Sequence, residues 1–130
     1  MITPKRLATF IPFDTLTESG LRHAAEHAEL HVCRDGEILF REGDLDGMVY
    51  YLLEGEVDLS ARGYAAALKV KAGSDAARHP LARLKPRRYT GVARENTRLL
   101  VLEDDFLDNL VTTDQTAAYE VTEFEGEDPE

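Results

Sequence analysis

The spacing of apolar positions changes character twice along this chain. Between residues 17 and 29, Leu21, Ala24, Ala25 and Ala28 recur three and four apart, which predicts a short amphipathic helix. Thr17, or Thr15 with Glu18 three residues on, supplies its N-terminal cap. Gly20 costs such a helix about 1 kcal/mol relative to alanine. Ahead of it, residues 1–13 read as a lead-in broken by Pro4 and Pro12 and pinned by Phe10, Ile11 and Phe13. From Glu29 the pattern turns to short alternating or wholly apolar runs between glycine turns. Leu30 and Val32 alternate with polar neighbours, and Asp35-Gly36 predicts a hairpin turn. Strands are expected over 37–41, 48–53, 56–60, within 64–70 and over 98–103, with the apolar run MVYYLL buried. Asp104 then opens a second helix through Phe106, Leu107, Leu110 and Val111, ending near Thr113. Turn signals roughly every 8–12 residues, with helices only at the ends, predict a mainly β fold of about eight strands, a sandwich or roll.

Charge changes this picture. The chain carries −10, yet residues 78–98 hold seven Lys/Arg and one acid, leaving −16 on the other 109 residues. Such a segment needs an anionic partner. The alternatives are a ligand, solvent, or the acidic end, where residues 114–130 contain seven acids and no base. That end is expected to be a partly disordered tail or linker, and residues 1–113 a single domain. The acidic total argues against nucleic-acid binding. No apolar run is long enough for a membrane span and no signal-like segment stands at the start. With the lone Cys33 this points to a cytoplasmic protein.

Two stretches carry a resemblance. Gly36-Glu37-Ile38-Leu39-Phe40-Arg41-Glu42-Gly43-Asp44 followed by Tyr50-Tyr51-Leu52-Leu53-Glu54-Gly55-Glu56-Val57 resembles the opening of the cyclic-nucleotide-binding domain. This β-roll is shared by catabolite-activator-type regulators, cyclic-nucleotide-dependent kinases and gated channels. The resemblance spans about Phe10 to Val111 and implies a double-stranded β-helix, or jelly-roll-like β-roll, with short flanking helices. It also implies a phosphate-binding cassette. Pro86-Arg87-Arg88-Tyr89-Thr90 lies on its second half, which puts Arg87 at the phosphate arginine and Thr90 beside it. Arg78 stands where the ribose-binding glutamate belongs, Ala77 replaces the cassette glycine, and Tyr89 replaces a small residue. Arginine can only donate hydrogen bonds, so it cannot serve the ribose hydroxyl as that glutamate does.

The expected function is therefore a non-catalytic regulatory or sensor module with a degenerate cassette. It would not bind ordinary cAMP or cGMP; its ligand would be another, nucleotide-like anion held by Arg78, Arg87, Arg88 and Thr90. The alternative is a protein-interaction or dimerisation domain, including a homodimer, that has lost its ligand. A protein partner or fused effector domain is expected, without nucleic acid or membrane. No helix-turn-helix follows the roll, and the acidic end reads as a linker within a longer protein. No cofactor, metal or catalytic set is expected. His23 and His27 share a helix face without the glutamate of a zinc-protease motif, Cys33 has no evident partner, and Glu42, Asp44 and Asp46 read as turn residues.

Overall fold

The computed structural model describes residues 2–114; the acidic segment 115–130 lies outside them. Two antiparallel sheets face each other. One has the order β1 (Glu29–Val32), β7 (Arg98–Glu103), β3 (Met48–Glu54). The other runs β2 (Ile38–Phe40), β6 (Thr90–Ala93), β4 (Glu56–Ser60), β5 (Leu68–Lys71). Seven strands in two such sheets, with short helices packed outside, form the mainly β roll that the sequence predicts.

The run MVYYLL is apolar at every position because both of its faces are covered. Side chains alternate across a strand. Val49, Tyr51 and Leu53 of β3, with Leu100 and Leu102 of β7, point away from the second sheet. They pack under α1 (Pro4–Leu7), α2 (Glu18–His27) and the helical residues 104–114, here α3. Leu52 and Leu99 point the other way, into the space between the sheets. Each such buried aliphatic side chain contributes about 2 kcal/mol.

Three turns stack at one end of the roll, and each moves the chain from one sheet to the other. Residues 33–37 join β1 to β2, Gly55 joins β3 to β4, and residues 94–97 join β6 to β7. Backbone bonds tie them together: Cys33 N–H to Thr97 O at 2.9 Å, Gly36 N–H to Ala93 O at 2.8 Å and Arg94 N–H to Glu56 O at 3.0 Å. The hairpin expected at Asp35-Gly36 is therefore a corner. Strands β1 and β2 pair with β7 and β6, not with each other. Among the described residues, consecutive strands pair only at β4–β5.

At the helical side, Pro4 starts a helix where the sequence suggested a break. Thr3 caps that helix through its hydroxyl, and proline is well suited to a first turn. Thr17 caps α2, accepting from Gly20 N–H at 3.1 Å. Asp114 in turn accepts from the Thr17 N–H at 2.9 Å and hydroxyl at 2.6 Å, tying α3 to the start of α2. A Cβ on Gly20 would lie 2.5 Å from the Asp114 carboxylate, so the glycine that weakens the isolated helix permits this contact.

Candidate functional site

The cassette loop between β5 and β6 begins with a single 3-10 turn, Ala76–Arg78, and ends where Arg87 lies beside the turn at Gly43-Asp44. Gly43 N–H donates to Arg87 O at 2.7 Å and Arg87 N–H to Asp44 O at 2.9 Å. This pairing aims the Arg87 side chain into the roll, where it is 0% exposed. Its guanidinium makes two bonds to the Asp46 carboxylate, Nε–Oδ2 at 3.0 Å and NH2–Oδ1 at 2.7 Å. The second NH2 hydrogen goes to Met48 O at 2.7 Å, and NH1 donates to Leu81 O at 3.2 Å and Ala82 O at 3.0 Å. A guanidinium has five N–H groups, and all five are taken by protein oxygens. The plane also lies 4.1 Å from the centre of the Phe40 ring and 5.5 Å from that of Tyr50, a cation–π arrangement.

Asp46 was expected only as a turn residue. Its hydrogen bonds from Arg87 hold its carboxyl below the usual carboxylate range, outweighing burial, which acts the other way. Glu37 is lowered chiefly by the Arg34 backbone N–H. For Asp58, burial pushes the carboxyl up, but bonds from Arg94 and Lys69 together win and leave it lowered. Depressed carboxyls contribute stability above their unfolded pKa, and lose it as pH falls through the folded value. Thermal melts are therefore expected to hold steady down to about pH 5 and to fall below about pH 4. Asp46→Asn should reduce that acid dependence along with the overall stability.

The other three expected ligand residues do not gather around Arg87. Arg78 closes the 3-10 turn and is exposed, its Nε donating to Thr9 O at 3.3 Å. It lines a groove of about 580 Å³ with Arg6, Thr9, Phe10, Gly73 and Ser74, among others; neither Arg87 nor its bonding partners line this groove. Arg88 is exposed. The Thr90 hydroxyl accepts from Glu42 N–H at 2.9 Å.

Five of the seven bases in residues 78–98 meet acids within the roll. Arg83 bonds Asp104 at 3.0 Å and Asp108 at 2.7 Å, and Lys85 reaches Asp104 at 2.6 Å, so the cassette is fastened to α3. Arg94 pairs with Asp58 at 2.7 Å, while Arg98 stands 3.9 Å from Glu54. Of the seven bases in residues 78–98, Arg78 and Arg88 have no acidic partner among the described residues.

The His27 ring stacks on Phe106 at 4.4 Å between centres, and the His23 ring lies tilted against Phe106 at 5.5 Å. Burial, with help from Glu37, pushes the Cys33 thiol up to about 11, so it stays protonated and weakly nucleophilic near neutral pH. Among the described residues no helix is long and apolar enough to cross a membrane.

A model of the cyclic nucleotide-binding domain matches residues 30–114. The chain belongs to the cyclic nucleotide-binding domain family. Solved cyclic nucleotide-binding domains and related sensor domains share its fold. A putative cyclic nucleotide-binding protein from Geobacter metallireducens is 23% identical with a TM-score of 0.68; the alignment covers 92% of this chain and 89% of that one. The sensor domain of the transcriptional regulator DNR from Pseudomonas aeruginosa is 15% identical with a TM-score of 0.71, covering 95% and 91%. The regulatory domain of Toxoplasma gondii PKA, solved with cAMP, is 18% identical with a TM-score of 0.69. The present domain is covered over 92% of its length but spans only 48% of that Toxoplasma chain. No curated protein sequence matches this cyclic nucleotide-binding domain.

Proposed function

We propose that this chain is a non-catalytic regulatory module of the cyclic nucleotide-binding type whose interior phosphate position is closed to plain cAMP and cGMP. The observation that carries this reading is the full engagement of Arg87 with Asp46 and three backbone carbonyls. A cyclic phosphate would have to displace Asp46 from a buried charge-assisted pair and restore equivalent bonds. Arg78, at the ribose position, offers only donors.

Anion binding is assigned instead to the exposed side of the cassette. Arg78 and Arg6 flank the groove, and Arg88 with Thr90 marks the far end of the same loop. Several positive groups without a carboxylate acceptor suit a ligand more anionic than a cyclic mononucleotide. Binding is coupled to α3 through Arg83 and Lys85, which hold Asp104 and Asp108. A ligand shifts that helix only to the extent that it favours one arrangement of the loop.

Thermal shifts with millimolar cyclic mononucleotides, cyclic dinucleotides and nucleoside triphosphates test this. The expected result is no change with cAMP or cGMP, and a rise with a dinucleotide or triphosphate that Arg78→Ala removes. A rise with cAMP sinks the proposal. A second reading, an interaction domain, is favoured by edge strand β1, where Leu30 and Val32 are 46% and 66% exposed. No thermal shift with any ligand, together with concentration-dependent dimerisation in sedimentation, supports that reading instead.

A further inference from the structure

We propose that His31, Cys33 and Glu37 form a binding site for a divalent metal ion of the zinc class. Their ligand atoms all lie within 4.8 Å of one another. Strands β1 and β2 are edge strands of different sheets, and residues 33–37 carry the chain from one to the other. His31 therefore comes from the edge of one sheet, Glu37 precedes the edge strand of the other, and buried Cys33 sits at the bend between them.

The corner is braced before any ion arrives. Cys33 is held by its N–H bond to Thr97 O, and Glu37 accepts from Ala93 N–H through its backbone carbonyl at 2.8 Å. The Glu37 carboxylate is oriented as well: Oε1 accepts from Arg34 N–H at 2.9 Å, and Oε2 is turned to His31 Nε2 at 2.6 Å. A metal-ligand carboxylate is commonly fixed in this way, with one oxygen on a neighbouring donor and the other on the ion.

The donor set selects the ion. One imidazole nitrogen, one thiolate sulfur and one carboxylate oxygen are the groups that zinc takes at about 2.0–2.3 Å, whereas magnesium and calcium need oxygens. Tetrahedral zinc holds its ligand atoms roughly 3.3–3.8 Å apart. The His31–Glu37 pair must open by about 1 Å to reach that spacing, and the sulfur must close by no more than a similar amount, both within side-chain rotation. The His31 and Glu37 side chains are 45% and 30% exposed, so water has access to the fourth position. On binding, the Cys33 proton leaves to solvent, His31 gives up the hydrogen that its Nε2 shares with Glu37 and binds as the neutral imidazole with its one hydrogen on Nδ1, and the thiolate and carboxylate charges balance the ion. The competing explanation is a surface His–Glu pair beside an unrelated core thiol.

The test is a titration of the full metal-free chain with Co²⁺ and then Zn²⁺. One equivalent of cobalt is expected to produce an intense near-ultraviolet thiolate-to-cobalt band, which zinc abolishes. His31→Gln and Glu37→Gln, both near the surface, should each weaken affinity by about tenfold or more, and Cys33→Ser should remove the band. Absence of the band in the wild-type chain overturns the proposal. So does a band that survives both surface variants unchanged, or metal uptake lost only in a His23→Gln/His27→Gln variant. Should Cys33→Ser fail to fold, the two surface variants decide the matter.

Discussion

Replacing Asp46 with alanine is expected to cost about 3–5 kcal/mol of folding stability, measured by urea unfolding. The carboxylate is only partly buried, but its partner is not exposed at all. Without Asp46, the Arg87 guanidinium keeps three carbonyl partners and its aromatic neighbours but loses the one acid that pairs with it among the described residues. Charge burial without compensation, rather than the lost hydrogen bonds alone, sets the size of the effect. The paired replacement Asp46→Leu with Arg87→Met should recover only part of the loss, because the apolar pair needs no countercharge but leaves the Met48, Leu81 and Ala82 carbonyls without the donor they had in Arg87. An arginine kept for a ligand and open to water behaves differently. Its removal, or that of its neighbour, would fall within about 0.5 kcal/mol of the parent protein.

Gly55→Ala is expected to cost about 2–5 kcal/mol, read in the same unfolding experiment. Two effects add. Gly55 has φ +89°, where an L residue is strained by about 1–2 kcal/mol. A Cβ there would also come within 2.6 Å of Thr97 Cα and 2.7 Å of Asn96 O, at the point where three sheet-crossing turns meet. Overpacking of this kind adds about 1–3 kcal/mol, and backbone atoms cannot step aside as a side-chain tip can. Gly36→Ala separates the two contributions. Its φ is similar at +86°, but nothing lies near the added methyl, so it should show the strain alone.

The roll itself was legible because its signals are local. The glycine turns, the alternation in Glu56–Ser60 and the wholly apolar MVYYLL each depend on neighbouring residues. What escaped was set by partners distant in sequence. Thr90–Ala93 hides in a basic segment with one buried glycine, and only the ring of Phe40, packed against Gly91, shows why so small a residue stands in a strand. Asp35-Gly36 has the chemistry of a hairpin turn, but the pairing of β1 with β7 makes it a corner.

The candidate site was half legible for the same reason. Motif spacing placed Arg87 at the phosphate position, yet nothing local shows that Asp46, 41 residues earlier, meets it. The charge anomaly was real, but it is resolved largely by Asp46, Asp58, Asp104 and Asp108 within the roll. Whether residues 115–130 contribute lies outside the described chain. Cys33 showed no partner in the sequence, because His31 and Glu37 are brought to it only where the corner folds back.

The proposed function requires Arg87 to be committed to Asp46 and unavailable to a cyclic phosphate. The most direct measurement follows the Arg87 Nε–H resonance of the full chain by proton–nitrogen NMR, assigned with Arg87→Lys, during titration with cAMP to millimolar concentration. The expected result is a slowly exchanging, hydrogen-bonded signal that does not move. A signal that exchanges rapidly with water, or shifts saturably as cAMP is added, contradicts the claim.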